Sequence, residues 1–147
     1  MGLVKFPARS SHVLADASFF VALLNKREAG HLRCQQAYQR IDAQIVTCEA
    51  CVAETFHLLH RARHAVDALF RNIREGAIEM PFRLSDSADE IQNYIERYTD
   101  TSCDFADACL IAMADQLGTG DILTLDSDFK HYRWRRNRRF NLLVPLD

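Results

Sequence analysis

Residues 104–117 constrain what this chain can fold into more than any other stretch. They read Asp-Phe-Ala-Asp-Ala-Cys-Leu-Ile-Ala-Met-Ala-Asp-Gln-Leu, apolar almost all round, and a helix without a broad polar face is buried by its neighbours. Gly118 follows as a C-cap that stops it. The rest of the chain supplies layers to bury it. Short apolar runs at 12–15, 43–47, 77–82, 121–125 and 141–144 read as strands. Helical stretches fall between them at 18–26, 28–41, 49–63 and 65–75, the last closed by Gly76. A further helix opens at Ser85, with Ala88, Ile91, Ile95 and Tyr98 at core-facing spacing. Strands alternating with helices predict an α/β fold with a mostly parallel sheet.

At 147 residues and 48 % hydrophobic, the chain has the material for one domain, 1–147, with a core. Its longest apolar run, 19–24, is far too short to span a membrane. Residues 1–10 hold a Lys and an Arg but no apolar stretch of the kind a secretory leader needs. The odd number of cysteines (Cys34, Cys48, Cys51, Cys103, Cys109) has no framework spacing, which points to reduced thiols and a cytoplasmic protein. Charge is unevenly placed. Between Lys130 and Arg139 stand six basic residues and no acid, and the remainder carries 12 basic against 20 acidic residues. That pattern suits a polyanion-binding rim around an acidic site, or equally a solvated basic loop.

Ligands of parallel sheets gather beyond the carboxyl ends of the strands, and the acids fall there. Asp16 ends the first strand, and Asp126 follows the strand 122–125. Asp104 and Asp107 sit three apart in the first turn of the buried helix, on one face. Each has a structural use as well: helix capping for Asp16, Asp104 and Asp107, and turn formation for Asp126 and Asp128. Glu54 has no such use. It lies mid-helix with Cys51 and Leu58 as same-face neighbours, where an uncompensated carboxylate is costly. Separated carboxylates of this kind suit Mg²⁺ or Mn²⁺, hard ions that activate water against phosphodiesters.

Four segments carry a family resemblance. Residues 12–24, with Asp16, resemble the opening strand and helix of PIN domains. Residues 51–59, with Glu54, are similar to the second acidic motif of that family. Residues 104–114 resemble the third, with Asp107 at the family acid and Asp104 at an extra one. Residues 123–129 resemble the last, with Asp126 as the fourth acid and Asp128 as a frequent neighbour. The motifs occur in family order, and together they are specific where each alone is weak.

The resemblance implies a PIN-like three-layer α/β/α sandwich and, with no appended domain, a VapC-like ribonuclease toxin of a toxin–antitoxin pair. It implies an Mg²⁺- or Mn²⁺-dependent endoribonuclease that leaves a 5′-phosphate and a 3′-hydroxyl, works as a homodimer and is inhibited by a small antitoxin. Asp16, Glu54, Asp107 and Asp126 would be the catalytic, metal-binding set, with Asp104 and Asp128 as further metal ligands and Thr124 in support. Residues 1–11 and the Arg-rich 133–139 depart from the family pattern. Arg133, Arg135, Arg136, Arg138 and Arg139 are candidates for RNA phosphate contacts. Trp134 or Tyr132 is available either to stack a base or to pack the core. Two rivals remain: a non-catalytic PIN-fold module that binds RNA or a partner, and a thiol oxidoreductase using Cys48 and Cys51. His57, His60 and His64 share a helix face and read as partly exposed rather than metal-binding.

Overall fold

The computed structural model describes residues 12–146; the leading stretch, read above as lacking a leader, lies outside the described residues. Strand β1 (His12–Ala15) is the middle of a five-stranded, all-parallel sheet with β2 (Gln44–Val46), β3 (Ile78–Glu79), β4 (Asp121–Leu123) and β7 (Asn141–Leu142), in the order β3-β2-β1-β4-β7. Successive side chains of a strand point to opposite faces, and in this sheet both faces are apolar. Leu14, Val46 and Ile122 enter one core, while Val13, Ala15, Ile45 and Leu123 enter the other.

The helices divide accordingly. Phe19 and Phe20 of α1 (Ala17–Leu24), Cys34 and Ala37 of α2 (His31–Arg40) and Leu69 of α4 (Arg63–Arg74) pack on the second face. On the first face lie α5 (Ala88–Arg97) and α6 (Phe105–Leu117). This is the expected α/β/α sandwich. Helix α6 is enclosed as its sequence requires: all eight residues from Asp107 to Ala114 are buried, and Gly118 ends it at φ 70°. Helix α3 (Glu49–Leu59) sits at the carboxyl edge of the sheet and touches α1 and α6.

Several boundaries differ from expectation, each for a local reason. Helix α1 begins at Ala17 because Asp16 caps it. Helix α2 starts only at His31, after a turn in which Glu28 N–H bonds to the Asn25 carbonyl. The helix from 49 ends at Leu59 rather than 63, and α4 resumes after a short turn. Leu59 and Ala65 then both pack on Val21, which a straight continuation would not allow. Strand β3 pairs over two residues instead of 77–82, since Pro81 has no N–H to offer a ladder. The helix expected from Ser85 starts at Ala88, after a 3₁₀ turn (Leu84–Asp86). Its buried face is Ile91 and Tyr94 with Tyr98 half-buried on the same core, so Ile91 and Tyr98 fall as expected, whereas Ala88 and Ile95 are exposed. Strand β7 pairs over 141–142, although Leu143 N–H still reaches the Ile122 carbonyl. A two-stranded ribbon, β5 (Arg133–Trp134) and β6 (Arg138–Arg139), was not expected at all.

Candidate active site

Because β1 and β4 are adjacent and parallel, Asp16 and Asp126 leave the sheet at the same edge. The first turn of α6 and the middle of α3 reach that edge from one side. A cleft of about 310 Å³ results, lined by Asp16, Glu54, Asp104, Asp107 and Asp126 together with Ser18, Cys51, Leu58 and Leu125. Five carboxylates share it, and no basic side chain lines it.

Each acid is held by its own backbone context. Asp16 is 6 % exposed. Its Oδ1 accepts the Phe19 N–H (3.1 Å) and the Ser18 hydroxyl (2.7 Å), and its Oδ2 accepts the Thr124 hydroxyl (2.5 Å). Thr124 Oγ1 in turn accepts the Asp126 N–H at 2.9 Å, and Ser18 Oγ accepts the Leu125 N–H at 2.9 Å. These bonds explain why β4 stops at Leu123 and not at 125: residues 124–126 bond to the site instead of a neighbouring strand. Asp104 and Asp107 form a reciprocal capping box, each side chain accepting the other's N–H. Tyr132, fully buried, donates its hydroxyl to Asp107 Oδ2 at 3.2 Å. Asp126 Oδ1 accepts the Asp128 N–H in a tight turn. Capping and site formation are thus done by the same carboxylates.

Glu54 is half-buried, and Leu58, expected to share its inward face, is 59 % exposed. Glu54 therefore looks into a partly open cleft, not an apolar core. The electrostatics are those of crowded anions. Burial lifts the Asp16 carboxyl to about 6 against the hydrogen bonds from Thr124, Ser18 and Phe19, with Asp126 adding to the rise. Burial and then the Asp104 charge push Asp107 up to about 7. Glu54 is raised by burial, Asp104 and Asp126, and Asp126 by burial and by Asp128 and Asp104. Carboxyls held above their ordinary range by burial and then by each other's charge favour a cation between them.

A model of the PIN domain matches residues 13–135. The chain belongs to the PIN-domain family. Its fold is similar to that of Mycobacterium tuberculosis VapC20, described as a sarcin–ricin loop cleaving toxin: TM-score 0.74 at 23 % identity, covering 81 % of this chain and 93 % of that one. No curated protein matches the sequence.

Within this PIN domain, Thr124 is a buried brace between Asp16 and Asp126, and Asp128 does not line the cleft. Ser18 and Tyr132 were not singled out as bracing residues. Ser18 was visible only as the third residue of Asp-Ala-Ser, and Tyr132 lies 25 positions from its partner with nothing local to link them. None of Arg133, Arg135, Arg136, Arg138 and Arg139 lines the cleft. Trp134 and Tyr132 are 6 % and 0 % exposed, inside the first core, so base stacking by either is excluded and core packing is their use. Cys48 and Cys51 have sulfurs 3.5 Å apart and are 2 % and 1 % exposed, which leaves no access for a substrate disulfide. His57 and His60 stack on each other at the surface, and His64 is exposed. Among the described residues no group of three or more His, Cys, Asp or Glu side chains is arranged to hold a metal ion. No described helix is long and apolar enough to cross a membrane.

Proposed function

We propose that this PIN domain is a divalent-metal-dependent endoribonuclease, the cytoplasmic toxin of a toxin–antitoxin pair. The observation that carries this reading is the cleft with five carboxylates and no base. Oxygen-only donors fit Mg²⁺ or Mn²⁺ and suit softer metals poorly. A polyanion such as RNA is repelled by such a cleft until cations occupy it.

Asp16, Glu54, Asp107 and Asp126 are the residues that would hold the metal, with Asp104 beside them and Asp128 as an outer contact. When bound, the metal would supply an activated water and neutralise charge on the cleaved phosphodiester. The chain's own part is positioning. Thr124 and Ser18 fix the Asp16 carboxylate, so its orientation costs little at the moment of binding. Tyr132 and the Asp104 N–H fix Asp107. Glu54, alone on α3, is the carboxylate with side-chain freedom to close over an ion. A homodimer and a small antitoxin partner belong to the same reading, by resemblance to VapC toxins.

Purified protein should cut RNA with Mn²⁺ or Mg²⁺, stop with EDTA, and lose activity as Asp16→Asn or Asp107→Asn while staying folded. Cleavage that persists in the double variant refutes the assignment. One observation favours a second reading, a PIN-fold module that binds without turnover: the carboxylates are not already arranged around a common metal position. Tight Mn²⁺ binding by calorimetry with no RNA cut under any divalent ion would select it.

A further inference from the structure

The arginine-rich ribbon does something the acidic cleft does not require. Tyr132, at its root, touches Asp107 in the first turn of α6. Three residues on, Arg135 reaches the last turns: its N–H bonds to Asp115 Oδ1 at 2.6 Å, and its guanidinium bonds to the Asp115 carbonyl and lies over Gly118. The segment therefore runs alongside α6, from the cleft toward the far end. The eight steps from Asp107 to Asp115 correspond to about 12 Å of helix.

Within the ribbon, Arg133 stands directly across from Arg139, and Trp134 across from Arg138. Trp134 points into the core, so Arg133 and Arg139 share the opposite, outward face. Like charges directly opposed on a ribbon repel each other. No carboxylate offsets them: among the described residues, none of the five arginines forms an ion pair. Asp115, the acid against the ribbon, is occupied by the Tyr94 hydroxyl (2.5 Å) and the Arg135 N–H.

Arg135 and Arg138 both lie over the Trp134 ring, at 5.6 and 5.3 Å from its centroid. Arg136 and Arg139 are exposed, and among the described residues their guanidiniums have no hydrogen-bond partner. Arg97 of α5 adds a further charge, donating to the Arg136 carbonyl at 2.9 Å. The turn itself is unusual for its residues. Arg135 and Arg136 both take positive φ, 41° and 73°, where Gly or Asn is the ordinary choice. The chain thus keeps unneutralised arginines on a strained turn, held in place by a buried Trp.

We propose that the exposed turn and outward face of the β5–β6 ribbon, at Arg136 and Arg139, are an exosite for the RNA sugar–phosphate backbone, distinct from the cleft. Planar guanidinium forks match phosphate oxygens, and the ribbon is continuous with the cleft through Tyr132. At about 3.4 Å per stacked nucleotide, the 12 Å of α6 that the segment runs along corresponds to roughly three to four nucleotides. This rests on the ribonuclease reading for its ligand, but it is tested without turnover.

In EDTA the cleft repels RNA, so binding reports the ribbon. Anisotropy of a labelled 20-nucleotide RNA should show salt-dependent binding. Arg136→Gln with Arg139→Gln should weaken it about tenfold and flatten the salt slope by about 1.4. Arg136→Lys with Arg139→Lys should keep most of the slope, and an unchanged urea midpoint shows that the ribbon is intact. Wild-type affinity and slope in the Gln variant overturn the exosite. So does a polyglutamate peptide that binds as tightly as RNA, which would assign the ribbon to an acidic protein partner. Exosite binding without metal-dependent cleavage leaves this inference standing and removes the ribonuclease reading; cleavage with no effect of the Gln variant does the reverse.

Discussion

The two ends of helix α6 are built from opposite charges and held by opposite means. At its first turn, Asp104 and Asp107 cap the helix reciprocally, and the cleft beside them holds three more acids. At its last turns, Arg135 seals the helix end against Asp115 and Gly118, and a basic ribbon folds over Trp134. The acids are held by hydrogen bonds to neighbouring N–H and hydroxyl groups, and burial first, then their neighbours' charges, raises their proton affinities. The arginines are spread over an exposed ribbon, and their repulsion is relieved by solvent. Burial, more than the number of charges, separates a site whose acids hold their protons more tightly from one whose charges stay solvated.

The largest expected effect tests the acidic end. Asp16→Asn or Asp107→Asn should lower RNA cleavage by on the order of a thousandfold, the scale of several kcal/mol of lost charge stabilisation. A single-turnover assay in Mn²⁺ checks it, and a drop below tenfold would move catalysis elsewhere.

Next comes the anchor of the basic end. Trp134 is 6 % exposed, and its ring stands where a Gly120 side chain would have to go. Trp134→Ala should cost about 3–4 kcal/mol in urea unfolding. A loss under 1 kcal/mol would mean that the ribbon does not rely on it.

Acid crowding should also give the metal-free protein a pH signature. A carboxyl whose folded pKa exceeds its unfolded value binds its proton more tightly when native. Its contribution is full below pH 4 and lost as pH climbs through the folded value. For Asp16, raised from 3.8 to about 6, the loss is roughly 3 kcal/mol; Asp107, reaching about 7, extends the window upward. The Tm in EDTA should fall from pH 5 to pH 8. Mn²⁺ should restore it at the upper end, and Asp16→Asn should flatten the curve. A Tm that rises over that range would contradict the buried repulsion.

The smallest effect lies where the two ends meet. Tyr132→Phe removes one hydrogen bond to Asp107 and keeps the ring packed on Phe129 and Tyr98. It should cost about 1 kcal/mol, read from the urea midpoint.

Much of this was legible in the sequence because it is written at short range. Apolar periodicity marked every helix and every strand of the main sheet. Gly76 and Gly118, both at positive φ, marked two helix ends. At the first of these, the Gly76 and Ala77 N–H groups close the helix on the Ile73 and Asn72 carbonyls. The acids of the cleft are legible because four short motifs carry them in order. Less legible were the turn at 60–62, which has neither Gly nor Pro, and the face of α5, where Ile95 imitates a core position. The ribbon was hidden because six charges in ten residues read as solvent-facing, while one Trp decides that the segment folds back.

The sequence by itself determined that this chain is an α/β protein with a buried sixth helix and with acids at the ends of strands and at a helix start. Tertiary structure alone decided that β1 and β4 are neighbours, and hence that Asp16 and Asp126, 110 positions apart, share a cleft with Glu54. It decided as well that Tyr132 supports Asp107 and that the arginines line the flank of α6, outside the cleft. The physical reason is range. Helix and turn preferences act over three or four residues, whereas strand order and side-chain convergence depend on which distant surfaces bury each other best.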